Sequence, residues 1–182
     1  MKTTETFISD LYIIEPNVYK DRRGYFFEQF NQNQFDSKIG KVNFVQDNES
    51  KSERGVLRGF HFQLPPFEQS KLVRCVVGEV LDIALDIRKK SKTYGQYKKV
   101  VLSGNNKKQF FIPKGFAHGF LVLSEYAIIN YKVDNIYAPD YDSGVIWDDP
   151  YLGIDWGLDS SKIIISKKDK NLDYFKSLNS PF

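Results

Sequence analysis

The feature that most constrains the fold is an alternation of apolar and polar residues from Leu81 to Ile87. Leucine or isoleucine occupies every second position, and aspartate or alanine stands between them. A period of two residues is typical of a β-strand with one apolar face. A second apolar run at residues 72–77 precedes it, with Gly78 in the connection. We therefore expect a hairpin of two strands, residues 72–77 and 80–87, joined by a glycine-containing turn.

Short strands recur along the rest of the chain. They are expected at residues 98–103, 109–112, 120–123, 127–133 and 163–166. One helix is expected at residues 32–38, with Asn31 as its N-cap and Gly40 just beyond its end. Short strands separated by Gly, Pro and Asn turns are typical of an antiparallel sandwich or jelly roll, and the 15 Phe and 11 Tyr fit a mainly β fold.

The chain shows no internal repeat and no linker, so we expect residues 1–182 to form a single domain. The part from Pro139 onward is rich in Asp, Gly and Trp. It is expected to wrap the barrel as loops and short helical turns.

The composition excludes several classes of protein. The net charge of +3 is too small to require a nucleic-acid partner. No segment approaches the ~18 apolar residues of a membrane span, and the N-terminus has no apolar signal region. The one cysteine, Cys75, excludes an internal disulfide and lies in an apolar run, as expected for a buried thiol in a reducing compartment. We expect a cytoplasmic protein.

The two histidines of the chain stand out as candidate acid/base groups. His61 lies in the segment 57–63 and His118 in the segment 113–120, both rich in aromatic residues and glycine. Histidine changes charge near neutral pH, which suits proton transfer. The alternative is a histidine packed and hydrogen-bonded in a core. Arg58, three residues before His61, favours a functional site because a purely structural core has little use for a cation there.

The sequence also limits the chemistry. It contains no G-x-G-x-x-G after a strand, no Walker loop and no G-x-S-x-G turn, which argues against a bound dinucleotide, ATP hydrolysis and serine-hydrolase chemistry. A metal site needs about three ligands, and two distant histidines with one cysteine fit it poorly. Acid/base chemistry without cofactor or metal, or simple binding, remains. The polar run 46–48 and the segment 21–28 are each either a turn or part of a binding site.

Taken in order, these segments resemble the dTDP-4-dehydrorhamnose 3,5-epimerase family over about residues 5–170. The matching stretches are residues 21–28, 44–48, 56–63, 71–80, 112–123 and 147–150. The resemblance implies a jelly-roll barrel, the cupin-like double-stranded β-helix, with short flanking helices. It also implies a homodimer that exchanges N-terminal strands and a substrate, dTDP-4-dehydro-6-deoxy-D-glucose, converted without a cofactor.

The resemblance further implies roles for individual residues. His61 matches the general base, oriented by Asp169, and Tyr131 matches the acid that returns a proton on the opposite face of the sugar. Lys71 matches the cation beside the developing enolate, and Arg58 a ligand of the diphosphate. The period of two on the strand 127–133 would turn Tyr131 into the barrel, whereas without the resemblance it would be taken for an ordinary core tyrosine and Lys71 for a surface lysine.

The remaining matches concern substrate binding. Further contacts are implied for Gln46, Asn48, His118 and Lys168. Arg23, Phe26 and Glu28 match an arm that acts on the nucleotide in the neighbouring subunit. Asp142 stands where the family has a Glu near the nucleotide. Two alternatives stay open: an epimerase acting at C3 only or on another nucleotide sugar, and a non-catalytic protein that binds nucleotide sugars.

Overall fold

A computed structural model describes residues 1–182 and shows two antiparallel sheets packed face to face. In chain order the elements are β1 (Lys2–Glu5), β2 (Tyr12–Glu15), β3 (Tyr19–Asp21), β4 (Gly24–Phe26), α1 (Gln32–Lys38), β5 (Gln46–Glu53), β6 (Leu57–Gln63), β7 (Lys71–Val77), β8 (Glu79–Asp86), β9 (Tyr97–Ser103), β10 (Gln109–Ile112), β11 (Phe116–Val122), β12 (Tyr126–Val133) and β13 (Asp142–Gly144). Four short 3-10 turns follow residue 138: Pro139–Tyr141, Ser160–Lys162, Asp169–Asn171 and Phe175–Ser177.

The six-stranded sheet has the order β1-β2-β10-β7-β12-β5, and the five-stranded sheet the order β13-β6-β11-β8-β9. Strands β3 and β4 form a separate two-stranded ribbon. The mainly β jelly-roll fold predicted from the sequence is confirmed, as is the wrapping of the C-terminal part in loops and short helical turns. Strands β1 and β2 are hydrogen-bonded within the sheet of their own chain, next to β10.

Three apolar clusters cover the sheets. The inner cluster of 15 buried residues lies between them and takes side chains from both, for example Val73 and Ala84. The second packs the C-terminal segment, with Trp156 and Phe175, against the outer face of the five-stranded sheet. The third packs Phe35 of α1 against the outer face of the six-stranded sheet. Because its inner and outer faces are both covered, the five-stranded sheet holds apolar side chains on each.

The predicted hairpin of residues 72–77 and 80–87 is wrong. Strands β7 and β8 lie in different sheets, so they do not pair. The single residue Gly78 joins them with a φ of +81°, and a Cβ there would lie 2.1 Å from the backbone oxygen of Tyr126. One residue is too short for a hairpin loop, so the chain turns from one sheet into the other.

The other local predictions were mostly right. The helix has the predicted bounds, because Asn31 Oδ1 accepts a hydrogen bond from the N–H of Gln34 at 3.1 Å and Gly40 follows with a φ of +135°. The strand expected at 120–123 is β11, which begins earlier, at Phe116. The strand expected at 163–166 is absent, and only a single bridge joins Val56 and Ile164. No helix of the chain has the length and apolar character to span a membrane.

Candidate active site

A cleft opens between the two sheets, and it contains both histidines. Its inner part is lined by Ser50, Val56, Leu57, Arg58, His61, Lys71, His118, Phe120, Tyr131, Ile164, Ile165, Ser166 and Asp169. Its outer part shares His61, Lys71 and Tyr131 and adds Gln46, Asn48, Phe62, Gln63, Gln69, Tyr137 and Asp142. The site residues predicted on β5, β6, β7, β11 and β12 therefore meet in one place. No three His, Cys, Asp or Glu side chains of the chain are grouped as a metal site requires.

His61 is paired with a carboxylate from the far end of the chain. Its Nε2 lies 2.9 Å from Asp169 Oδ1, and Asp169 Oδ2 accepts the N–H of Gly59 at 3.2 Å. Burial disfavours the charged form of Asp169, but the hydrogen bond and charge of His61 outweigh it and lower the pKa of the carboxyl. An ionised carboxylate only accepts hydrogen bonds, so the proton lies on Nε2. No protein group bonds the other ring nitrogen, Nδ1.

A close approach of two glycines sets the spacing of the histidine-bearing strands. His61 on β6 is the register partner of His118 on β11. At Gly59 the φ is +122°, and a Cβ would lie 2.5 Å from the Cα of Gly119. Any larger residue at Gly59 would push the two strands apart, so this glycine is part of the site.

Tyr131 enters the cleft from the opposite sheet. As the period of two predicted, it packs with Ala127 and Ile129 against the inner cluster. Burial raises the pKa of the phenol, the charge of Arg58 lowers it and that of Asp142 raises it, and the net change is upward. The phenol is therefore protonated at neutral pH and can donate a proton.

Lys71, the first residue of β7, brings a cation between these groups. Its Nζ donates to the backbone oxygen of His61 at 3.4 Å. Burial lowers the pKa of Lys71 to about 8, against the opposing influence of Asp142 and Asp82. The ammonium is thus charged at neutral pH and begins to lose its proton in mildly alkaline solution.

Arg58 lies at the edge of the cleft with its guanidinium exposed. Its Nε donates to Ser52 Oγ at 3.1 Å. This contact fixes the side chain and leaves the two terminal nitrogens free for an anion. A guanidinium held in this way is suited to bind a phosphate through two parallel hydrogen bonds.

The outer part of the cleft is a polar network. Gln46 Nε2 donates to Asn48 Oδ1 at 2.8 Å, and Gln46 Oε1 accepts the N–H of Tyr137 at 3.2 Å. Asp142 accepts the hydroxyl of Tyr137 at 3.0 Å and is also paired with Lys168. Residues 46–48 begin strand β5, so their alternative interpretation as a turn is wrong.

His118 has a carboxylate partner that the sequence analysis missed. Its Nε2 lies 2.9 and 3.0 Å from the two oxygens of Asp82, which is fully buried on β8. We had expected Asp82 on the polar side of an amphipathic strand. The polar side faces the interior, because the apolar side is covered by the C-terminal segment. A charged residue in the middle of a strand buried on both faces is the signal that could have identified it.

The residues of the predicted arm do not reach this cleft within one chain. Phe26 on the β3–β4 ribbon is 68% exposed, and Arg23 is paired with Asp21, with Nε 3.0 Å from Oδ2. Glu28 accepts hydrogen bonds from Asn31 at 3.1 Å and Gln34 at 3.0 Å, beside a separate cavity near α1. The ribbon projects from the molecule with Phe26 and Arg23 free of the cleft's residues.

Comparisons with known proteins agree with this geometry. The family model for dTDP-4-dehydrorhamnose 3,5-epimerase matches residues 5–177. A dTDP-4-dehydrorhamnose 3,5-epimerase of Methanothermobacter thermautotrophicus is 55% identical over 168 residues, which cover 92% of this chain and 90% of that protein.

Solved structures extend the likeness to the fold. The dTDP-4-dehydrorhamnose 3,5-epimerase of Elizabethkingia anophelis has a TM-score of 0.95 and 47% identity, covering 99% of each chain. The dTDP-6-deoxy-D-glucose-3,5-epimerase of Legionella pneumophila, in complex with dTDP-4-keto-L-rhamnose, has a TM-score of 0.94 and 45% identity, covering 98% of this chain and 94% of that one.

Proposed function

The chain belongs to the dTDP-4-dehydrorhamnose 3,5-epimerase family, and from that premise we propose how its cleft carries out the family's reaction. The protein epimerises C3 and C5 of dTDP-4-dehydro-6-deoxy-D-glucose to give dTDP-4-dehydro-L-rhamnose. The C4 ketone acidifies the protons on both neighbouring carbons. A base on one side of the sugar and an acid on the other are therefore sufficient to invert each centre.

His61 is the base in this proposal. Its free Nδ1 takes the proton from C3 or C5, the electrons of the broken C–H bond form a C=C bond to C4, and the carbonyl electrons move onto O4. An imidazole is the side chain that most often serves as a general base in enzymes. The bond from Nε2–H to Asp169 fixes the tautomer and stabilises the imidazolium that forms.

Tyr131 is the acid. The observation that carries the proposal is that Tyr131 and His61 share the cleft but come from opposite sheets, on β12 and β6. A sugar lying between them presents one ring face to each. The enolate takes the phenolic proton on the face opposite to His61, which inverts the carbon. Solvent then reprotonates the phenolate and removes the proton from the imidazolium.

Lys71 stabilises the charge that develops on O4. An ammonium placed beside the enolate oxygen acts as an oxyanion donor, and losing such a donor typically lowers the rate by ~10²–10³. Arg58 holds the diphosphate at the cleft edge. Gln46, Asn48, Asp142, Lys168 and His118 complete the contacts around the nucleotide sugar.

A homodimer is part of the proposal, with the β3–β4 ribbon of one chain reaching the nucleotide in the other. The exposure of Phe26 and Arg23 supports this, since an apolar ring and a cation projecting into solvent fit a base and an anion in a neighbouring cleft. The exchange of N-terminal strands stays a prediction, and the β3–β4 ribbon, which is separate from both sheets, is the exchanged element in this proposal.

A coupled assay tests the reaction. The protein is incubated with dTDP-4-dehydro-6-deoxy-D-glucose, a 4-keto reductase that accepts only the rhamno product, and NADPH. We expect steady NADPH consumption with the wild type and none with His61→Asn. If the wild type binds dTDP but supports no reduction, it is a binding protein and the proposed mechanism is wrong.

A further inference from the structure

Asp82 is a buried charge for which the mechanism above has no use. Its side chain is fully buried in the middle of β8, on the face that points between the sheets. Its hydrogen-bond partner is His118, which lies against the cleft. Burying an unpaired carboxylate costs several kcal/mol or more, so a buried Asp82 needs groups that compensate its charge.

The compensation comes from two groups. The charge of Asp82 favours the ammonium form of the buried Lys71 and so raises the pKa of that group against the effect of burial. Both Asp82 oxygens also lie within 3.0 Å of His118 Nε2. A carboxylate ion only accepts hydrogen bonds, so the proton of the His118–Asp82 hydrogen bond lies on Nε2.

The hydrogen bond to Asp82 engages only one of the two ring nitrogens of His118. A neutral imidazole with its proton on Nε2 has a lone pair on Nδ1, and no protein group bonds that atom. The same arrangement holds for His61, its register partner on the neighbouring strand.

We propose that Asp82 is a positioning residue that keeps the proton of His118 on Nε2 and so presents the Nδ1 lone pair to a hydroxyl of the sugar ring. This inference rests on the proposed function and adds to it the part of the substrate that His118 recognises. A lone pair repels a phosphate and cannot donate to the ketone oxygen. Among the polar groups of the sugar nucleotide, a ring hydroxyl is the donor that remains beside the reacting carbons.

The first test reads the tautomer directly in the wild-type protein. The chain has 2 histidines, so the ring nitrogens of a protein labelled with ¹⁵N-histidine give two resolvable sets of NMR signals, assigned with His61→Asn. At neutral pH we expect His118 to carry one proton, on Nε2. A proton on Nδ1, alone or in an imidazolium, overturns the proposal. This outcome does not depend on turnover, so it is separate from failure of the proposed function.

The second test uses Asp82→Asn, which keeps the shape and removes the charge. Loss of the fixed tautomer should raise the KM of the sugar nucleotide about 10- to 100-fold, with kcat changed less than about threefold, because a hydroxyl contact acts in ground and transition state alike. Inhibition by dTDP, which lacks the 4-keto-hexose, should be unchanged. An unaltered KM, or dTDP inhibition weakened as much as KM, contradicts the proposal, since the second result marks general damage to the cleft.

Discussion

The two histidines occupy paired positions on β6 and β11, yet their carboxylate partners come from different parts of the chain. His61 is held by Asp169 of the C-terminal segment, whereas His118 is held by Asp82 of the same sheet. The side chain of His61 is 31% exposed and that of His118 is 9% exposed. The proposed base, His61, thus lies where substrate and solvent can exchange protons with it, and His118, the proposed binding residue, is fixed in the framework.

Two His–Asp pairs with similar hydrogen bonds can therefore have different functions. Asp169 lies in a short 3-10 turn of the C-terminal segment, so the orientation of His61 depends on how that segment packs. Asp82 is held by strand hydrogen bonds on both sides. Exposure and accessibility, rather than the pair itself, separate the proton-transfer role from the binding role.

Replacing each histidine in turn tests most strongly whether His61 and His118 have different roles. His61→Asn should lower kcat about 10⁴-fold, the upper range for loss of a general base. His118→Asn should raise KM about 10- to 100-fold and leave most of kcat. Both are measured by the reductase-coupled assay. Equal losses of kcat in the two variants would show that both histidines act in proton transfer.

Tyr131→Phe sharpens the difference between the two sides of the sugar. The variant keeps the base but lacks the acid, so it should still exchange the carbon-bound protons with solvent. Net inversion should fall by about 10²–10⁴, the usual contribution of a positioned acid. Proton NMR in D₂O follows exchange, and reductase trapping follows inversion. An unchanged yield of rhamno product would remove Tyr131 from the mechanism.

Lys71 contacts the backbone of His61, and the charge of Asp82 favours its ammonium form, so it is influenced by a member of each pair. Lys71→Met should lower kcat about 10²–10³-fold through loss of enolate stabilisation. In the wild type, activity should decline as pH rises through about 8, where the buried ammonium loses its proton. That decline should be absent from the residual activity of Lys71→Met.

The pKa of Lys71 also has a consequence for stability. Its pKa is lower in the folded than in the unfolded chain, so the folded state binds fewer protons between about 8 and the ordinary value of 10.5. The contribution of Lys71 to the free energy of unfolding therefore rises with pH across that window. Below the window, the full cost of burying the charged ammonium destabilises the folded state. Chemical denaturation at pH 7 should find Lys71→Met at least as stable as the wild type. A clear loss of stability would contradict the desolvation argument.

Arg23 belongs to neither His–Asp pair, so its replacement should not alter the difference between the His61 and His118 variants. Arg23→Ala is expected to raise KM about tenfold through loss of one charged contact in the partner's cleft, with kcat retained. Mixing Arg23→Ala with an excess of His61→Asn should restore the wild-type KM, because in the mixed dimer the intact ribbon of the His61→Asn chain reaches the intact cleft of the Arg23→Ala chain. Lys20→Ala, on the same ribbon, is the matched control. Absence of any restoration in a mixed dimer would mean that the ribbon does not serve the neighbouring chain.

Much of the fold follows from local patterns. The period of two predicted the inward face of Tyr131, and the capping residue Asn31 predicted where α1 begins. The same period could not tell which face of β8 points inward, because the sheet is covered on both sides. The hairpin failed for a related reason: a glycine-containing connection signals a turn but not whether the strands remain in one sheet.

For the candidate site, the sequence predicted single residues better than it predicted their partners. His61 and Arg58 could be selected from their local setting, but Asp169 lies 108 residues from His61, and only the family resemblance joined them before the structure did. Asp82 was missed by both approaches. Long-range pairs of this kind depend on how the C-terminal segment and the two sheets pack, which no local spacing encodes.

In the proposed mechanism one cleft removes and returns protons at both carbons beside the ketone. The most direct measurement is an incubation of the wild-type protein with dTDP-4-dehydro-6-deoxy-D-glucose in D₂O, followed by proton NMR of the sugar, with His61→Asn as the matched control. The account predicts deuterium at both C3 and C5 with the wild type, rhamno product when a reductase is present, and no label with His61→Asn. Label at C3 alone, or equal label with His61→Asn, would contradict it.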